Sequence, residues 1–148
     1  MRQEGAREDL NQRIGYQLKR VDAALRSAMD AALRPHGLTT PQYACLELLD
    51  RRPGLSNAEL ARGAFVTRQS MNVVLHNLQT AGLVVRPATA PQGRALPTTL
   101  TDDGRTRLHA ARADILAIED KMAEPLSASQ AEHLLDALGR MATALESD

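Results

Sequence analysis

Residues 8–34 constrain the fold of this chain more than any other stretch. Leu10, Ile14, Leu18, Val21, Leu25, Met29 and Ala32 follow one another at intervals of 4, 4, 3, 4, 4 and 3. That is close to a heptad seam, sustained over about seven turns, and it is the pattern of a helix packed along another helix. One small lobe cannot cover a seam of that length, so in a single chain part of it stays exposed to water. Pro35 and Gly37 in "RPHGLTTP" end the helix.

The remaining pattern is helical too. A chain of 148 residues is one domain, or one domain with an oligomerising appendage. Hydrophobic residues make up 43%, yet the aromatics are only Tyr16, Tyr43 and Phe65. The core is therefore Leu, Ala, Val, Ile and Met, which suits helices better than sheets. Thr40 reads as an N-cap with Pro41 at the first helical position, opening a helix over roughly 41–51. It is expected to bury Ala44, Cys45 and Leu48, with Leu49 beside them. "SNAE", Ser56 to Glu59, is a capping box for a short helix ending near Gly63. Thr67 caps the next helix, and Gly82 stands where a left-handed C-terminal cap belongs.

Two short β-like runs follow, Leu83–Arg86 and Leu96–Leu100, around a tip containing Pro and Gly. Pro97 cannot donate a ladder hydrogen bond and marks an edge strand. A helix returns from Thr101 to about Met122, with Leu108, Ala111, Ile115, Ile118 and Met122 on one stripe. Ser127 and Gln130 form a capping box for a last helix, whose stripe is Leu134, Leu135, Leu138, Met141 and Leu145. A short helix, a tight turn, a second helix and a hairpin make the winged helix-turn-helix pattern. The expected fold is mainly α with a small β-hairpin wing. A winged helix-turn-helix lobe occupies 38–100, and a helical dimerisation scaffold occupies 8–37 and 101–146.

Function is read from the helix that Thr67 opens. Met71, Val74, Leu75 and Leu78 form its apolar face. The opposite face carries Gln69, Val73, His76 and Thr80, flanked by Ser70, Asn72 and Asn77. A solvated helix ordinarily shows Lys and Glu, whereas this one shows amides and hydroxyls. Amides pair with adenine edges, and an apolar Val73 suits a thymine methyl. The bland alternative is a neutral surface helix.

Charge distribution supports the first reading. Net charge is zero, but residues 51–107 hold eight Arg against Glu59, Asp102 and Asp103, so 8 − 3 gives +5 there and −5 elsewhere. Arginine suits phosphate and guanine contacts. Arg68 reads as a groove or a phosphate contact, and His76 as a groove contact or a solvated residue. Thr67, Ser56 and Asn57 sit at helix N-termini, which suit phosphates.

"TTPQYACLELL", "SNAELARGAFVTRQSMNVVLHNLQTAGLV" and "GRALPTTLTDDG" resemble the MarR family of bacterial transcription regulators. The resemblance runs from about residue 10 to 145. Its most specific part is the wing signature, here Arg94, Leu100, Thr101 and Gly104. The family often has Asp two residues before that Arg, where this chain has Gln92. The resemblance implies a homodimer on double-stranded DNA, with Arg94 at the wing tip reaching a minor groove. It also implies repression of a pseudo-palindromic operator, relieved by a small aromatic or phenolic effector. Tyr16 and Tyr43 border the implied effector cleft, and each also reads as a plain core aromatic.

Other chemistry finds no footing. His36, His76, His109 and His133 lack metal-ligand spacing, and no nucleophile–base pair or Gly-rich phosphate loop occurs. No enzyme and no cofactor are expected. Cys45, alone on a buried face, reads as inert. No run reaches transmembrane length, and "MRQEGAREDL" lacks a signal-peptide core, so a cytoplasmic location is expected. The competing reading is a helical protein–protein module whose winged domain no longer binds DNA.

Overall fold

The computed structural model describes residues 9–87 and 97–147. Its first helix, α1, spans Ile14–Leu33. The seam's first residue, Leu10, lies instead on a 3-10 turn, Leu10–Gln12. Asp9 caps that turn by accepting from the Asn11 N–H at 3.0 Å, and Arg13 is extended at φ −94°. The helix therefore starts at Ile14 rather than near residue 8. It ends on a second 3-10 turn, Arg34–His36, closed by Gly37 at φ 68°.

Helix α2 is Thr40–Arg51, and its N-cap is Thr39 rather than Thr40. The reason is reciprocity. Three residues beyond Thr39 stands Gln42, whose side chain accepts the Thr39 N–H at 2.9 Å. Three residues beyond Thr40 stands Tyr43, which cannot return the bond. The buried face differs from expectation as well. Tyr43, Cys45, Leu46 and Leu49 are buried, while Ala44 and Leu48 are half-buried. The helix packs against α1 and the hairpin as well as its HTH neighbours, so its core stripe is set by several surfaces rather than one.

Helices α3, Asn57–Gly63, and α4, Arg68–Thr80, form the helix-turn-helix. Leu60 and Ala61 of α3 face Met71, Leu75 and Leu78 of α4 across a buried core. Strands β1, Val84–Val85, and β2, Thr99–Leu100, pair antiparallel, Val84 with Leu100 and Val85 with Thr99. They are shorter than the runs expected, and Pro97 precedes the paired residues. Helix α5 follows as Asp102–Ala123, and α6 is Ala128–Glu146. The Ser127–Gln130 capping box at the start of α6 is present.

Two glycines carry the hairpin's placement. Gly82 ends α4 at φ 76°, where only glycine is unstrained. Gly104, in the first turn of α5, has no room for a side chain: a Cβ there would stand 2.0 Å from the Leu83 carbonyl oxygen. Thr101 ties the same corner. Its hydroxyl donates to the Gly82 carbonyl at 2.6 Å and accepts from the Gly104 N–H at 3.0 Å. The Leu-Thr-x-x-Gly run is thus a clasp between the end of α4 and the start of α5.

Two compact units divide between Ile115 and Leu116. The first holds the fully buried side chains, including Leu33, Leu46, Leu49, Leu60, Met71, Leu78, Leu83 and Leu108. The N-terminal half of the α1 seam lies outside that core. Ile14 is 67%, Leu18 41% and Val21 48% exposed. In the second unit α6 buries no residue, and Leu134, Leu135 and Leu145 are exposed.

Candidate nucleic-acid interface

The interface is built from the loops and helix starts around α4. Thr67 caps α4 by accepting the Ser70 N–H at 3.0 Å, and its hydroxyl donates to Ser70 Oγ at 3.0 Å. Ser56 caps α3, accepting the Glu59 N–H at 3.1 Å, and Glu59 accepts the Ser56 N–H at 3.2 Å. These bonds hold the Glu59 carboxyl below its ordinary range, through the Ser56 backbone first and its side chain second. Each cap satisfies one N–H of its helix's first turn, and the first-turn N–H groups left without an intrahelical acceptor are of the kind that receives phosphate oxygens.

Beyond its cap, α4 presents one continuous outer face. Arg68, Gln69, Ser70, Asn72, Val73 and His76 are all exposed, while Met71, Leu75 and Leu78 are buried behind them. Residues 69, 72, 73 and 76 share one side of the helix by their spacing. This face carries amide, hydroxyl and imidazole groups, one aliphatic side chain, and a single charge at its N-terminal edge. Asn72 is tied to the neighbouring helix: the half-buried Asn57 of α3 donates its side-chain N–H to Asn72 Oδ1. Asn57 is therefore a support for α4, and it engages the oxygen of the exposed Asn72 amide rather than its N–H group. Arg94 and Gln92, expected at the wing tip, lie outside the described residues.

The two tyrosines occupy different settings. Tyr16 is 42% exposed on α1. Tyr43 is buried, and its hydroxyl donates to Glu47 at 2.6 Å. Burial first, and that bond second, raise the Tyr43 hydroxyl well above its ordinary range. Tyr43 thus has the buried ring of a core aromatic, but its hydroxyl is held by a carboxylate rather than by water. Cys45 is fully buried and its thiol is pushed up to about 12 by that burial. It is held as the unreactive thiol.

One group that sequence reasoning missed joins the winged lobe to α5. Arg112 makes two hydrogen bonds to Glu47, at 2.9 and 3.0 Å, and one to Asp50 at 2.8 Å. These partners lie 65 and 62 residues away in the chain, so no local spacing announces them. No described helix is long and apolar enough to cross a membrane.

Comparison with known proteins agrees with this geometry. The MarR family model matches residues 36–95. The chain is 47% identical over 129 residues to the HTH-type transcriptional repressor Rv2887 of Mycobacterium tuberculosis, covering 85% of this chain and 93% of that one. The crystal structure of Rv2887 in complex with DNA superposes with a TM-score of 0.72 at 43% identity, over 87% of this chain and 97% of the other. The Rv2887 complex with salicylic acid gives 0.72 at 46% identity, over 87% and 96%. A capped, hydrogen-bonding outer face on α4, a hairpin clasped behind it, and this degree of identity along most of both chains have one reading: the protein belongs to the MarR family of winged helix-turn-helix transcription regulators.

Proposed function

We propose that this chain works as a homodimeric repressor that reads a pseudo-palindromic DNA operator and releases it on binding a small aromatic acid. The observation that carries the reading is the outer face of α4, where Gln69, Asn72, Val73 and His76 stand exposed and almost uncharged beside a phosphate-suited N-terminus. In this reading 38–100 is the DNA-binding lobe, and 8–37 with 101–146 is the dimerisation region. Ser56, Thr67, Arg68 and Ser70 serve the backbone, Gln69, Asn72, Val73 and His76 serve base edges with Asn57 holding Asn72 from α3, and Arg94 serves a minor groove. The exposed seam of Ile14, Leu18 and Val21 supports dimerisation, because apolar surface of this extent seeks a partner. Two-fold symmetry then sets half-sites about one DNA turn, roughly 10 bp, apart.

The effector reading rests on the relative that was crystallised with salicylic acid. Tyr16 and Tyr43 are its proposed contacts here, Tyr43 through its ring, since its hydroxyl is engaged by Glu47. Regulation rather than catalysis is the proposed activity, in the cytoplasm where the DNA lies.

The test is selection of bound duplexes from a random pool at two salt concentrations. The expected result is one palindromic motif with half-sites a helical turn apart, bound with an affinity that falls steeply with salt as counterions are released. An unstructured pool, or affinity flat between low and physiological salt, overturns the reading. Adding salicylate to the selected complex tests release.

A further inference from the structure

The strongest unexplained feature is Phe65, in the turn between α3 and α4. It is the only phenylalanine in the chain and it is 93% exposed. It is also the one non-glycine residue among those described with a positive φ, +59°. Both features cost free energy, since a bulky side chain in the left-handed region is strained and an uncovered aromatic ring orders water.

The chain itself shows what this turn ordinarily requires. Helix α4 ends with the Gly82 N–H on the Gln79 carbonyl at 3.0 Å and the Leu83 N–H on the Leu78 carbonyl at 2.9 Å. Helix α3 ends with the same pair of bonds. The Phe65 N–H reaches the Arg62 carbonyl at 3.3 Å, and the Val66 N–H reaches the Ala61 carbonyl at 3.0 Å. This is one capping motif used twice, with glycine at the left-handed position in one case and phenylalanine in the other. Helix capping therefore does not account for the ring, and at 93% exposure neither does the core.

Its neighbours in the chain bear on what could cover it. Phe65 stands two residues before Thr67, the cap of α4, and the exposed Arg62 and Arg68 bracket it in sequence. The turn thus exposes an apolar ring, with an exposed cation three residues to either side of it in sequence. In a helix-turn-helix on DNA the first helix crosses the sugar–phosphate backbone and the second enters the major groove by its N-terminal end, so the turn between them lies next to the backbone. Deoxyribose offers an apolar face, and phosphates lie on either side of it. We infer that Phe65 is a DNA-contacting residue whose ring packs on a backbone deoxyribose of the half-site, with Arg62 and Arg68 on the adjacent phosphates. The inference rests on the DNA-binding reading above and adds a contact that reads backbone shape, not base identity.

The test uses the full chain and its selected operator. Phe65→Gly removes the ring and relieves the backbone; Phe65→Ala removes the ring and keeps the left-handed residue. Both are expected to bind about tenfold more weakly, the loss that accompanies uncovering one aromatic face. The loss should be equal across a panel of single-base operator variants, and the slope of affinity against salt should match the parent's. Arg62→Ala should instead lower that slope by about one unit. Phe65→Gly is expected to unfold at or above the parent's Tm. A parent that binds with steep salt dependence while both Phe65 variants bind equally well overturns this inference and leaves the DNA-binding reading standing. A change in preference at one base pair overturns the backbone assignment, and a marked fall in Tm for Phe65→Gly shows the ring to be structural and overturns it as well. A parent that binds no duplex overturns both.

Discussion

Arg112 holds Glu47 with both arms of its guanidinium, Nε to Oε1 at 2.9 Å and Nη2 to Oε2 at 3.0 Å. The pair joins α5 to α2, and the same Nη2 continues to Asp50 at 2.8 Å while Tyr43 donates to Glu47 at 2.6 Å. Two parallel hydrogen bonds fix the relative orientation of the partners as a single contact cannot. The winged lobe is thereby set at a defined angle to the first half of α5.

Arg112→Ala is expected to cost about 2 kcal/mol, since it takes the guanidinium from a half-buried carboxylate and leaves it only the Tyr43 hydroxyl as a close donor. The loss should depend on pH. Burial pushes the Glu47 carboxyl up, but the bonds from Arg112 and Tyr43 outweigh it and hold the group below its ordinary range. Asp50 is lowered chiefly by its bond to Arg112. Groups with a depressed folded pKa stabilise above the unfolded value and lose that stabilisation as pH falls. Stability of the parent should therefore fall below about pH 4, and Arg112→Ala should flatten that fall. Urea unfolding of both proteins at pH 7 and in the acid range measures it; equal slopes against pH would remove this network from the account.

Gly104→Ala is expected to destabilise by roughly 3 kcal/mol or more, because overpacking here is against backbone and not a movable side chain. The clash is with the Leu83 carbonyl oxygen, 2.0 Å from the added Cβ. Thr101→Val, which keeps the shape and deletes two hydrogen bonds, should cost about 1–2 kcal/mol. Thermal unfolding ranks the two, and the Gly104 variant should be the worse.

Leu18→Asp or Val21→Asp should split the dimer. Both residues are nearly half-exposed in the single chain, so the core of the first unit does not need them. A buried unpaired carboxylate at an interface is costly, whereas one on a free surface is tolerated. Sedimentation should show folded monomers, or an unfolded chain where the monomer cannot stand alone. Folded dimers of both variants would place the interface elsewhere.

Gln69→Ala should relax preference at a particular base pair, by roughly 1–3 kcal/mol where a bidentate amide–base pairing is removed. Asn57→Ala should relax the same position as Asn72→Ala, since Asn57 holds the Asn72 amide in place. Arg94→Ala should weaken binding across all operators, most at A·T-rich flanks. Titration against single-base operator variants separates these outcomes. Uniform losses from the α4 variants together with altered base preference from Arg94→Ala would reverse the roles of helix and wing.

Much of this architecture was legible in residue order. The capping boxes at Ser56 and Ser127, the Thr67 cap, the left-handed Gly82 and the apolar stripes of α4 and α5 all depend on residues three or four apart. Local hydrogen bonding and helical periodicity decide such features, so the chain alone states them. The outer face of α4 was legible for the same reason, as the complement of its buried stripe. The one-residue shift of the α2 cap to Thr39 was in principle legible too, from Gln42 three residues on.

Other features required the folded chain. Leu46, rather than Ala44 and Leu48, is buried because α2 meets several neighbours at once. Arg112 finds Glu47 and Asp50 across more than sixty residues. Gly104 is required by the carbonyl of Leu83, in the turn between α4 and β1. Phe65 looks in sequence like any core aromatic, and only its left-handed backbone and its exposure show that nothing in the lobe covers it. Periodicity specifies which face of a helix is apolar; which distant group meets that face is set by closure of the chain on itself.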